Sequence, residues 1–131
     1  MADISDFLNT TSSTSLTDIY HVEETDNPVN ISLTIGEEGQ SSLSVIKIDN
    51  HVLENNLVGS VLNLDIGSNS SIAFKFLTIL TIITDVDPEH NMTRIDFEIS
   101  GGRGDYFHSM EKTVLNQGDS VAYKIEIFFI R

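Results

Sequence analysis

The side chains best placed to hold a metal lie in Asp85-Val86-Asp87-Pro88-Glu89-His90, where carboxylates recur at alternate positions just past an apolar stretch. Asp85, Asp87 and Glu89 are the kind of oxygen donors that a hard cation such as calcium takes from a loop. The set is sparse for an ion that wants six to eight oxygens, and an Asp-initiated turn fixed by Pro88 is the competing reading. A second group, Arg103-Gly104-Asp105-Tyr106, follows Gly101-Gly102. Arg103, Asp105 and Tyr106 are candidate ligand-binding residues: two opposite charges and an aromatic ring, on a loop between two strands. That placement resembles the presentation of an integrin-binding tripeptide, and a free tyrosine ring is a surface on which a sugar stacks. Gly101 and Gly102 do not form a dinucleotide fingerprint, because the spacing is wrong and no helix follows.

Other matches are matches of spelling. Ser109-Met110-Glu111-Lys112 has the Ser-x-x-Lys order of penicillin-recognising enzymes but lacks their helix and downstream motifs. His21, His51, His90 and His108 stand alone, with no pair at the spacing that puts two ligands on one face. No Gly-x-Ser-x-Gly elbow is present for a serine nucleophile. A facing pair of carboxylates, as in glycosidases, is easy to reach by coincidence in a chain with 20 acidic residues. These failures point to a chain that is not an enzyme. Four Asn-x-Ser/Thr sequons, at Asn9, Asn30, Asn69 and Asn91, read as chance in a sequence this rich in Asn, Ser and Thr.

Composition narrows the classes further. The chain has 131 residues, 20 acidic against 7 basic, and a net charge of −13. That balance opposes nucleic-acid binding and attachment to anionic lipid. The absence of cysteine removes disulfides, thiolate metal sites and thiol catalysis. The N-terminus has neither the basic segment nor the apolar run of a secretory signal, so a cytoplasmic protein or a trimmed secreted one is expected. Charge is uneven: residues 1–65 carry 11 acids and 1 base, and residues 66–131 carry 9 and 6.

The elements that must position these groups are strands. Residues 1–17, with eight Ser or Thr, read as a flexible arm, and residues 18–131 as one domain. Period-two alternation runs through Val29 to Ile35, Leu62 to Ile66, Thr93 to Ser100 and Val121 to Phe129. Gly36-Glu37-Glu38-Gly39 is expected to turn Val29–Ile35 back into Ser41–Ile48 as a hairpin. The shift of apolar parity from Leu43 and Val45 to Ile46 and Ile48 suggests a β-bulge. Ile72 to Val86 is apolar on both faces, which makes it central or covered by another subunit.

Seven to nine strands and no helical stripe predict an all-β, two-sheet antiparallel sandwich, immunoglobulin-like or jelly-roll. The expected function is a non-catalytic acidic interaction module that binds a protein partner or assembles with its own copies. Two alternatives stand beside it: a lectin-like carbohydrate-binding domain, calcium-dependent through Asp85, Asp87 and Glu89, and an acidic inhibitor or immunity protein that blocks a basic partner.

Overall fold

The computed structural model describes residues 12–36, 40–85, 92–113 and 119–131. Nine strands are found there: β1 (Ser12–His21), β2 (Pro28–Ile35), β3 (Gln40–Ile48), β4 (His51–Val58), β5 (Val61–Ser68), β6 (Phe76–Asp85), β7 (Met92–Ser100), β8 (Tyr106–Thr113) and β9 (Ser120–Ile130). One helical turn, α1 (Asn69–Ile72), precedes β6 and is capped where the Ser71 amide donates to Ser68 Oγ at 3.2 Å. The strands form two sheets, β1-β9-β6-β3-β4 and β5-β2-β7-β8. This is the expected all-β two-sheet sandwich. Among the described residues no helix is long and apolar enough to cross a membrane.

Alternation decides which face each strand buries. On β7, Thr93, Ile95, Phe97 and Ile99 are buried, while Arg94, Asp96 and Glu98 face outward. On β9, Val121, Tyr123, Ile125, Ile127 and Phe129 are buried. These inner faces meet Leu77, Ile79 and Ile83 of β6 and Val29, Ile31 and Leu33 of β2 in one core. Each fully buried aliphatic side chain contributes about 1.5–3 kcal/mol of transfer free energy. Burying a hydroxyl is costly unless it is hydrogen-bonded, and four buried hydroxyls of the inner faces have partners. Tyr123 spans the two sheets to Thr93, oxygen to oxygen at 2.5 Å, and Thr93 donates onward to the Lys112 carbonyl at 2.7 Å. Ser44 and Thr81, opposite each other on β3 and β6, lie 2.8 Å apart and fully buried.

Several sequence expectations need correcting. β2 and β3 are not a hairpin. β2 pairs with β5 and β7 in one sheet, and β3 with β4 and β6 in the other. The Gly36 amide donates to the Arg94 carbonyl at 3.0 Å, which holds the end of β2 against β7 and sends the chain across to the opposite sheet. Only β3–β4 and β7–β8 are hairpins within a sheet.

Nor is there a bulge in β3. Its register with β6 is unbroken from Gln40 to Ile48, and Ser42, Ser44, Ile46 and Ile48 all face inward. The apparent parity shift arises because two serines occupy core positions while Leu43 and Val45 face out. The register slips belong to β4 and β5, each of which has extra residues relative to its partner.

The long apolar segment from Ile72 divides. Ile72 ends α1, Phe74 takes a positive φ of 63°, and the strand starts at Phe76. β6 is indeed central, flanked by β9 and β3. Finally, residues 12–17 of the expected arm belong to β1, which runs parallel to β9 in an otherwise antiparallel sandwich. Leu16 there packs on the core beside Ile125.

The buried hydroxyl pair gives a direct test. Ser44→Ala leaves the Thr81 hydroxyl buried without its partner and is expected to cost about 1–3 kcal/mol in urea unfolding. Adding Thr81→Val removes the orphan and should recover most of that loss.

Candidate functional site

The β7–β8 loop, residues 101–105, is built by contacts from the opposite sheet. Gly101 has φ 97°, and a Cβ there would strike the Pro28 carbonyl oxygen, so only glycine fits. A Cβ on Gly102 would run into the Tyr20 ring. Tyr20, buried on β1, accepts from the Gly102 amide at 2.9 Å and donates to the Gly104 carbonyl. The Arg103 amide donates to the His21 carbonyl at 3.0 Å.

Asn69 secures the loop from beneath. It is fully buried, accepts from the Glu23 amide at 2.9 Å, and donates to the carbonyls of Asn27 and Gly101, each at 2.9 Å. Its amide is fully engaged, so the Asn69 sequon is closed to modification in the folded chain.

With the loop fixed, Arg103, Asp105 and Tyr106 line one cleft. Residues 103–106 and β1 residues 19–21 wall an open cleft of about 240 Å³. Asp105 and Tyr106 also wall a smaller one, about 170 Å³, with residues 98–100 and Phe107. The arrangement is not a presented tripeptide. The Arg103 backbone is tied to β1, and its Nε lies 3.7 Å from Glu23 Oε1. Tyr106 is not a free stacking platform either: it is half-buried, meets Phe97 edge-on at 6.0 Å, and donates its hydroxyl to Asp18 Oδ2 at 2.8 Å.

The titration behaviour follows from these contacts. Burial pushes the Tyr106 hydroxyl up, and its bond to the Asp18 carboxylate adds to that. Burial likewise raises Tyr20, against the opposing bond from the Gly102 amide. The Asp18 carboxyl is held low by the Ile19 amide, 2.8 Å from its Oδ1, then by the Tyr106 hydroxyl and more weakly by the field of His108. On β7, burial alone would raise Asp96, but bonds from Ser109 Oγ at 2.6 Å and Arg94 Nε at 3.0 Å prevail and lower it. Both cleft tyrosines are therefore protonated and partnered at neutral pH.

The other candidates are placed as follows. Asp85 closes β6, while Asp87 and Glu89 lie outside the described residues. Among the described residues no three His, Asp or Glu side chains gather to hold a metal. Ser109 of the Ser-x-x-Lys match lies mid-strand on β8 and donates to Asp96, not at the start of a helix.

Sequence reasoning missed Asp18, Tyr20 and Asn69. Their partners stand up to 88 residues away, and no local pattern marks such pairs.

The outer faces of the two sheets differ in charge, though the four-stranded one also exposes Phe107 and Met92. On the four-stranded sheet, β7 and β8 carry Arg94, Asp96, Glu98 and Glu111, joined by Arg94 to Asp96 at 3.0 Å and to Glu111 at 3.7 Å. On the five-stranded sheet the register sets Ile19, Phe128 and Phe76 in one row and Ala122, Ile82, Leu43 and Val58 in another. Phe76 and Phe128 have ring centroids 4.6 Å apart. Ile19, Phe76 and Val58 are 51%, 47% and 75% exposed, far from the burial of their inward neighbours. The charges on this face, over β3, β6 and β9, are Lys47, Lys124 and Glu126, the last two paired at 2.7 Å.

No family model, no curated protein and no solved structure matches the chain.

Two outcomes are expected. Tyr20→Phe removes both hydroxyl bonds and should cost about 1–3 kcal/mol, with faster hydrogen exchange at the Gly102 amide while the β9 amides stay protected. The second concerns acid. Asp18 and Asp96 sit below the unfolded aspartate value of about 3.9, so on acidification the unfolded chain takes up protons first. Their stabilisation is complete above that value and is lost as pH falls through the folded values. Asp18→Asn should flatten the stability–pH slope below about pH 4 and leave it unchanged at pH 7.

Proposed function

We propose that this chain is a non-catalytic interaction module that binds a protein surface, a partner's or its own, through the outer face of its five-stranded sheet. The observation that carries the reading is the contrast between the two outer faces. A solvated sheet face is normally polar, and that of the four-stranded sheet, though it exposes Phe107, is crossed by the charges of Arg94, Asp96, Glu98 and Glu111. The opposite face instead exposes Ile19, Phe76, Leu43 and Val58 and is close to neutral on a chain of net charge −13. Large apolar side chains left exposed on a sheet face mark contact sites, and aromatic residues form the energetic centre of such contacts.

The charge supports the same assignment. Acidic groups keep the free protein soluble and repel unspecific contacts. The neutral face is where a second surface approaches at least electrostatic cost. This separates the reading from that of an acidic inhibitor, whose contact would run through residues 1–65 and weaken steeply with salt.

The test is a concentration series of the full chain by light scattering, with affinity capture of partners in parallel. Leu43→Asp and Phe76→Asp should weaken the association at least tenfold and leave far-ultraviolet circular dichroism unchanged, and rising salt should have little effect. A chain that stays monomeric and binds no partner saturably, or an association indifferent to both variants, overturns the reading. Steep loss with salt would move the contact to the acidic half.

A further inference from the structure

Four strands form the lateral margins of the sandwich, and three are visibly protected against pairing. β4 and β5 carry register slips, with Asn56 and Asn63 at positive φ, and bulges of this kind spoil an edge as a template. β8 carries Glu111 and Lys112, and charged edge residues have the same effect. β1 has neither device over Ser12–Thr17. It is ten residues long, its register with β9 is unbroken, and that stretch contains no charged residue and no proline.

The direction of its free backbone groups is fixed by three bonds. The Val22 amide donates to the Ile130 carbonyl, so even-numbered residues face β9. The Ile19 amide turns to the Asp18 carboxylate, and the His21 carbonyl accepts from Arg103, so odd-numbered residues face the open side. Ile19 and His21 are thus already occupied. Ser13, Ser15 and Thr17 present their amides and carbonyls outward.

We infer that β1 is a pairing edge for a second copy of this chain, joined antiparallel about a two-fold axis at Ser15, so that two five-stranded sheets become one. This contact runs along the sheet's edge, apart from the apolar face, and goes beyond the interaction reading. The register is dictated by the outward groups: Ser15 faces Ser15 of the other copy and Ser13 faces Thr17, all as hydrogen-bonded pairs, giving about six main-chain bonds.

The same register is what makes a second copy the occupant. The side chains brought opposite one another are small hydroxyls, a favourable cross-strand pairing. Leu16 meets Thr14. Asp18 does not fall opposite a second Asp18, so no like charges are paired. Two chains of net charge −13 repel over most of their surface, and this uncharged stretch lets their backbones approach. The joined sheet would also bring the two Ile19–Phe128–Phe76 rows onto one continuous face.

The test uses the full chain. Sedimentation should show a dimer at micromolar concentration. Ser15→Pro removes an amide that faces away from β9, a change an edge strand tolerates, and should leave a folded monomer. Register is read separately, because the chain has no cysteine. Facing Cα atoms in a hydrogen-bonded pair sit about 5.5 Å apart, within disulfide reach. Ser15→Cys should therefore oxidise to a covalent dimer. Ser13→Cys and Thr17→Cys should cross-link when mixed and not when alone, and Val58→Cys on β4 should not cross-link. If Ser15→Pro fails to fold, the cysteine pattern alone decides.

A dimer without that pattern overturns edge pairing and leaves the interaction reading standing. A chain monomeric at millimolar concentration overturns edge pairing too, and the interaction reading is then decided by the Leu43 and Phe76 variants.

Discussion

One hydroxyl, that of Tyr20, sits between the Gly102 amide and the Gly104 carbonyl, and much of this end of the sandwich depends on it. A loop that crosses the end of a core cannot leave its backbone polar groups unpaired. Residues 101–105 meet that requirement with groups borrowed from the other sheet: Tyr20 and the His21 carbonyl from β1, with Asn69 below. The loop connecting β7 and β8 is therefore held by β1 as firmly as by its own strands. Three consequences follow. Gly101 and Gly102 leave no room for a side chain, the cleft beside Tyr106 has a rigid wall, and the His21 end of β1 is closed.

That closure gives β1 its asymmetry. From Tyr20 onward its outer side is occupied by the loop, and before that, among the described residues, by the Asp18 carboxylate at the Ile19 amide. The opposite margin is treated differently. There β4 runs into β5 through Gly59, both strands are bulged, and serine hydroxyls meet the loose amides: Ser60 Oγ accepts from Ile35 at 2.9 Å and Ser32 Oγ from Asn63 at 3.0 Å. A sandwich has two lateral margins to defend. This one seals the first with bulges and hydroxyls and leaves part of the second regular and uncharged.

How much of this the sequence disclosed depends on the range of each interaction. β7 and β9 were legible because alternation is local and their inner positions are all apolar but for Thr93. The sandwich followed from the sum of such strands. β3 misled because Ser44 is buried against Thr81 rather than by an apolar neighbour, and a rule that equates core with apolar turns that into a bulge. The false hairpin had another cause: a glycine-rich connection looks the same whether it returns to its own sheet or crosses to the other. Arg103, Asp105 and Tyr106 stood out in the sequence because loop composition is local, and all three line the cleft. Asn69 and Tyr20, which build the loop, were not, since Asn69 looked like one more polar residue at a chain break.

The apolar outer face and the acidic composition are two sides of one arrangement. A chain with 20 acids and 7 bases must put its excess charge somewhere, and the fold spends little of it on the five-stranded sheet, where the charges over β3, β6 and β9 nearly cancel. On the four-stranded sheet the same positions form an Arg94–Asp96–Ser109 network that binds solvent and itself. Had acidity served solubility alone, both faces would carry it, because each apolar side chain left in water forgoes the free energy of burial. Leaving Ile19, Phe76 and Val58 exposed on the one neutral face concentrates that unclaimed free energy where repulsion between molecules is weakest. Under the proposed function, this partition of charge sets where a second surface approaches.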